Sequence, residues 1–194
     1  MELKRLRILF EKSKERKKQG LFVIEGLREI EKAVLGGYKI KTIFLQEGCE
    51  SSFSEILKKI NTELIFCVEK SVFDRISMRS GSEKIIAMAN TKIHTLEHLN
   101  HSNNDIVLVV EAPEKPGNIG ALYRTAAAAK INSIIIANPK TDFYNPNSIR
   151  SSLGSIFLVP TAIAPSFKVI TYLKNKFYKI LTATVEPNAL NYLK

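Results

Sequence analysis

Only two cysteines, Cys49 and Cys67, occur in 194 residues. They cannot build a disulfide framework, and neither has a second cysteine at metal-ligand spacing, so reduced thiols are expected at both. No run approaches the ~18 apolar residues that a membrane helix needs. The first twenty residues, MELKRLRILFEKSKERKKQG, lack the apolar stretch and small-residue cleavage site of a secretory signal. The reading that follows is a cytoplasmic protein without a membrane partner. His94, His98 and His101 fall close together, but H-E-x-x-H is missing and the neighbouring asparagines favour a loop, so no metal is expected. Glu25, Glu29 and Glu31 read as helix-surface charge. Internal repeats and low-complexity tracts are also missing.

What is present is an ordinary globular composition, 45% hydrophobic and 25% charged, with a formal net charge of +10. The excess is uneven. Residues 1–20 carry eight Lys/Arg against three Glu, and residues 150–194 carry six against one, while the stretch between them balances at fifteen of each sign. A neutral body with two basic ends suits a polyanion gripped at defined places, although solvated helix faces would give the same count.

Along the chain, residues 2–18 read as one helix, with Leu3, Leu6, Ile8, Leu9 and Phe10 on one side and Gly20 as its end. Strands are expected at 21–24, 40–45, 64–67 and 85–89, and helices at 27–35, 52–60 and 69–76. This alternation predicts an α/β unit with a largely parallel sheet. Residues 92–104 are polar and read as a linker between a first domain over 1–91 and a second over 105–194. In the second, the near-continuous apolar run DIVLVV (105–110) predicts a strand at the centre of a parallel sheet. Helix 119–130, strand 133–137, a loop over 138–147 and helix 147–153 follow. Strand 156–159, helix 165–175 and strand 178–182 complete the pattern.

The segment EAPEKPGNIGALYRTA, Glu111 to Ala126, connects strand and helix at the sheet's carboxyl edge, where open α/β sheets bind ligands. Pro113 and Pro116 stiffen it, Gly117 and Gly120 let the backbone turn, and Asn118 can cap the helix. Arg124, four residues beyond Gly120, can project near the loop mouth with a planar fork suited to phosphate. The glycine spacing fails G-x-G-x-x-G, which disfavours a nucleotide-binding oxidoreductase, and no Gly-Lys-Ser/Thr follows for a Walker loop. Chemistry alone reaches an anion-facing loop.

The order acidic residue, x, Pro, x, x, Pro-Gly-Asn-Ile-Gly-Ala-Leu, x, Arg-Thr-Ala resembles the first motif of the SpoU (TrmH-like) RNA ribose methyltransferases of the SPOUT class. SIRSSLGSIFLVP (148–160) resembles that family's Arg, Ser, small residue and Gly segment. Residues 4–34 are similar to the small N-terminal substrate-binding domain of many members, with Phe22, Glu25 and Gly26 in its Phe-x-x-Glu-Gly pattern. One departure stands out. The family's Gly-Asn-Glu loop and Ser-Leu-Asn segment, which form the C-terminal trefoil knot and most of the cofactor pocket, are absent, and truncation is the favoured explanation because strand 178–182 would otherwise end near an unfinished sheet edge.

The resemblance implies methyl transfer from S-adenosylmethionine to a ribose 2′-hydroxyl, in ribosomal RNA with transfer RNA as the nearest alternative, by a homodimer. The catalytic candidates are Arg124 and Asn118. A guanidinium is not an ordinary base, so Arg124 is expected to bind a neighbouring phosphate and stabilise the developing oxyanion, with phosphate or water taking the proton. Arg150, Ser152 and the basic-helix residues Lys14, Arg16, Lys17 and Lys18 are RNA-binding candidates. Thr182, Ala183 and Thr184 are candidates for touching the adenosyl group. The competing reading is a non-catalytic RNA-binding module that kept the architecture and lost the cofactor pocket.

Overall fold

Alternating helices and strands bury their apolar runs in two sheets that share one core. The computed structural model describes residues 2–62, 64–78, 83–100, 102, 105–184 and 189. The expected N-terminal helix is two: α1 (Glu2–Glu11) and α2 (Ser13–Gln19), separated by Lys12 in an extended conformation and closed by Gly20 at φ 62°. The break has a function in the packing. It turns α2 back so that the Arg16 guanidinium donates to the carbonyls of Leu9 (2.6 Å) and Phe10 (3.1 Å), which end α1 without intrahelical partners.

The first sheet contains β1 (Leu21–Glu25), β2 (Ile40–Gln46), β3 (Ile65–Val68) and β4 (Ile85–Asn90) in the order β1-β4-β2-β3. Helices α3 (Leu27–Leu35), α4 (Ser54–Lys59) and α5 (Lys70–Ile76) connect them. The expected parallel sheet is found only in part. β2 and β3 are parallel, but β4 lies antiparallel to both β1 and β2. The crossover through α3 does return the chain in the direction of β1, two strand positions away, and β4 then fills the vacant slot between them in reverse. Alternation of element types constrains the crossover and leaves that slot open.

The second sheet is β5 (Val107–Glu111), β6 (Ser133–Ala137) and β7 (Thr161–Ala164), all parallel, in that order. Helices α6 (Pro116–Ala128), α7 (Pro146–Ser151) and α8 (Ser166–Asn175) accompany it. β6 is the central strand, with all five residues buried, whereas β5, expected at the centre, is an edge with Val109 39% exposed. Residues 156–159 are not a strand. Leu153 and Gly154, at φ 52° and 78°, turn the chain into a 3-10 turn over Ser155–Phe157, and β7 starts only after Pro160. Nor is 178–182 a strand: Phe177 at φ 58° turns the chain out of α8, and the following residues run beside β5 without a ladder. The expected linker is not slack, since Leu96 and Leu99 are buried with Ile135, Ala162 and Val169. Its residues 101, 103 and 104 lie outside those described. No described helix is long and apolar enough to cross a membrane.

The two sheets meet through aromatic rings. Phe22 stacks on Tyr144 with centroids 4.3 Å apart, and Tyr38 sets its edge on Phe157 at 5.0 Å. Gly36 belongs to this contact, because a Cβ there would overlap the Phe157 carbonyl. Arg16 Nε crosses the junction to Asp142 Oδ2 at 2.6 Å, with both side chains under 10% exposed. Beside them His94 packs on Phe143 at 4.6 Å. The Thr161 carbonyl can only accept, so His94 Nδ1 carries the proton (3.3 Å) and Nε2 accepts from the Tyr144 hydroxyl (2.8 Å). That hydroxyl oxygen also accepts the Lys92 amide at 2.8 Å.

Two outcomes follow. Asp142→Ala leaves a buried guanidinium unpaired and should cost on the order of 3–5 kcal/mol, read from the denaturant midpoint, whereas the double variant Arg16→Met/Asp142→Leu should recover most of the loss. Burial, with a smaller contribution from the nearby Lys92 and His98 charges, holds His94 near pH 4 against an ordinary value of 6.5. The unfolded chain therefore binds one more proton between those values, and stability present above pH 6.5 drains away as pH falls toward 4, by roughly 3 kcal/mol. Thermal unfolding from pH 7 to pH 4 should show this slope, and His94→Gln should flatten it.

Candidate active-site cleft between the two sheets

Helix α6 begins at Pro116, in the first helical position, after Lys115 as cap residue. Asn118 is therefore inside the first turn and does not cap, as had been expected of it, and Arg124 starts the third turn. The two catalytic candidates are thus about six residues and roughly 9 Å apart along the axis, on different faces. They are not brought together.

Arg124 is brought instead to Arg150. Gly120 lets α6 approach α7 so closely that a Cβ there would meet the Ser148 carbonyl at 2.5 Å and the Ser152 amide at 2.6 Å. With the helices in contact, both arginines line a cleft of about 530 Å³ whose opposite wall comes from the first sheet and α3. That wall presents Glu25, Arg28, Glu29 and Glu83. The carboxylates are turned to their own half: Glu25 accepts from the Met78 amide (3.2 Å), Glu83 from the Leu27 amide (2.5 Å) and Glu29 from Arg28 (2.8 Å). Arg124 and Arg150 are exposed and have no ion-pair partner among the described residues. An anion entering the cleft meets two free guanidinium forks on the α6–α7 side.

The other candidates divide. Lys14, Lys17 and Lys18 are exposed on α2, free to meet phosphate. Arg16, between them, is 2% exposed and committed to Asp142, Leu9 and Phe10, so it is an internal clamp and no RNA contact. Ser152 is fully buried. Its hydroxyl donates to Ile149 and accepts the Gly154 amide, which shapes the turn after α7 and removes it from the surface. Thr182 and Ala183 line an apolar trough of about 560 Å³ along β5, with Glu111 at its end, and Thr184 is exposed beyond them.

Sequence reasoning missed three groups. Glu29, read as surface charge, is 4% exposed; its place on the face of α3 shared with Ile30 and Ala33 was the available signal. Arg28, next to it, faces the cleft. At the sheet's carboxyl edge, Glu111 accepts from the Ser166 hydroxyl and from Asn138 Nδ2 (3.0 Å), and Asn138 also donates to Ser166 Oγ (2.7 Å). These bonds, that from Ser166 foremost and then that from Asn138, pull the Glu111 carboxyl below its ordinary range. They tie the ends of β5 and β6 to the start of α8, where Ala112 and Asn138 both take φ 45°. Among the described residues no cluster of His, Cys, Asp and Glu could hold a metal.

Comparison with known proteins agrees with this architecture. Residues 1–87 match the MRM3-like substrate binding domain, and residues 105–194 match the SpoU rRNA Methylase family. A 23S rRNA (uridine(2479)-2′-O)-methyltransferase of Streptomyces viridochromogenes is 28% identical over 78% of this chain and 53% of its own. The 23S rRNA (guanosine(2553)-2′-O)-methyltransferase RlmP of Bacillus subtilis is 26% identical over 76% of this chain and 56% of its own. The chain thus spans about half the length of the curated relatives it matches. Among solved structures, the SpoU methyltransferase AviRb from Streptomyces viridochromogenes, in complex with AdoMet, superposes with a TM-score of 0.81 at 22% identity, over 91% of this chain and 68% of that one. The crystal structure of an RNA 2′-O ribose methyltransferase gives 0.75 at 31% identity, over 90% and 66%. The chain thus carries a SpoU rRNA Methylase family domain over residues 105–194, preceded by an MRM3-like substrate binding domain over residues 1–87.

Proposed function

We propose that the protein transfers a methyl group from S-adenosylmethionine to a ribose 2′-hydroxyl of ribosomal RNA in the cytoplasm. The observation that carries this reading is the pair of unpartnered arginines, Arg124 and Arg150, in a cleft walled by the substrate binding domain on one side and the SpoU domain on the other. The ribosomal target rests on relatives named for 23S rRNA, one modified at a uridine and one at a guanosine. The backbone of RNA is the polyanion that the two basic ends require.

Each residue's task follows from its position. Arg124 holds the phosphate beside the target ribose and presents N–H donors to the 2′-oxygen as negative charge grows on it. The proton passes to that phosphate or to water. Arg150, fixed beside it by the α6–α7 contact, holds an adjoining phosphate, and Lys14, Lys17 and Lys18 add contacts that give affinity with little sequence choice. Asn118, one helix face away, orients the loop that leads into α6. The trough along β5 has apolar walls for a purine and a carboxylate, Glu111, at its end, which suits a cationic adenosyl compound; Thr182 and Ala183 would line it, with Thr184 adjoining. When bound, S-adenosylmethionine supplies the methyl group on an already activated sulfonium, so the protein's part is alignment and charge stabilisation. A homodimer belongs to the same reading and is supported by exposed Phe167 and Ile170 on one face of α8.

Incubation of the protein with labelled S-adenosylmethionine and ribosomal RNA should leave one alkali-resistant dinucleotide. Arg124→Lys should lower kcat by about 100-fold or more, the cost of losing a well-aimed donor to a developing oxyanion, with RNA affinity nearly unchanged. Near-normal turnover of Arg124→Lys would count against the guanidinium fork. RNA binding without any transfer would favour a binding module over an enzyme.

A further inference from the structure

Among the described residues, Arg28 is the one basic residue that the substrate binding domain contributes to the cleft, and its position is built rather than accidental. Its side chain is half exposed, but Nε and Nη2 both donate to a single oxygen, Oε1, of Glu29, at 3.2 and 2.8 Å. The Glu29 side chain is 6% exposed, so the carboxylate is a buried anchor and Arg28 its exposed head. Neighbouring residues on a helix do not normally face each other, and this pairing bends the guanidinium along the helix and toward the cleft that Arg124 and Arg150 line from across.

The span of that cleft is also fixed. One turn after Arg28, Lys32 Nζ donates to the Leu153 carbonyl at 2.7 Å, joining α3 to the turn that follows Arg150. There the backbone of α3 comes so near that a Cβ on Gly154 would lie 3.2 Å from Glu29 Cα. Arg28 is thus referenced to Arg150 through two short links, and no hinge separates them. Three guanidinium groups from two domains converge on one space, while the three carboxylates there are occupied within their own half. Such an arrangement recognises several phosphates of one folded strand.

Resting on the proposed RNA substrate, we infer that Arg28 is a phosphate-binding residue of the substrate cleft, and that Glu29 is a positioning residue that aims it. Arg28 grips the RNA backbone from the side opposite Arg124, which makes the substrate binding domain part of the cleft rather than a separate tether.

The test is the salt dependence of binding of a structured ribosomal RNA transcript, by fluorescence anisotropy, for the protein and its variants. Arg28→Ala should weaken binding and reduce the slope of log K against log salt by about 1, as loss of one phosphate contact does. Lys58→Ala, which removes a cation outside the cleft, should leave the slope unchanged. Glu29→Gln removes a negative charge beside the RNA, so charge alone predicts tighter binding, whereas a positioning role predicts weaker binding with an unfolding midpoint that shows the fold intact. If Arg28→Ala matches Lys58→Ala, or Glu29→Gln binds more tightly, the inference is overturned while the proposed function stands. If the unaltered protein shows no salt-dependent RNA binding, the proposed function falls and the inference with it.

Discussion

Arg16 carries its charge into the junction between the two domains, and much of the architecture answers to that one buried cation. It sits in the densest run of basic residues in the chain, yet it is inside, held by Asp142 and by the two carbonyls that end α1. A buried ion pair adds little net stability, because desolvation offsets most of the attraction. It adds position. Only one docking of the second sheet on the first brings Asp142 to Arg16, and any other leaves two uncompensated charges indoors. Around this fixed point the apolar contacts close: Phe22 on Tyr144, Tyr38 on Phe157, and His94 kept neutral among them.

The consequence for function is a cleft of set width. Its walls belong to different domains, and contacts between those domains hold the walls together, from Lys32 to Leu153 and from Gly36 to Phe157. On the proposed reading, arginines on opposite walls take phosphates of one RNA strand, and rigid docking of the two domains would set their separation before that strand arrives, lowering the ordering cost of binding. On the other side of the second sheet, the bonds among Glu111, Asn138 and Ser166 do the equivalent for the strand ends that face the trough.

Much of this was legible from residue order, and the failures have a common cause. β6 was placed at its true limits and α3 at 27–35, because unbroken apolar runs and glycine boundaries are local signals. The loop from Glu111 was recognised by its residues, yet its chemistry moved: the helix starts at Pro116, so Asn118 gives up the cap and Arg124 swings away from the loop mouth into the cleft. Arg16, Ser152 and Glu29 were misjudged since polarity predicts exposure, and only partners far along the chain overturn it; Asp142 is 126 residues from Arg16. β4 escaped for a similar reason, its reversed placement being decided by a vacancy between β1 and β2. The expected strand at 178–182 follows an apolar pattern that β5 does not pair with in this chain.

The two domains should unfold as one body, because their junction is part of a single core. Native-state hydrogen exchange measures this most directly, by comparing the opening free energies of central amides in β4 and in β6 across denaturant concentrations. Both should converge on one global opening with the same free energy and the same denaturant dependence. Separate limiting values for the two strands, with one sheet opening while the other stays protected, would contradict it.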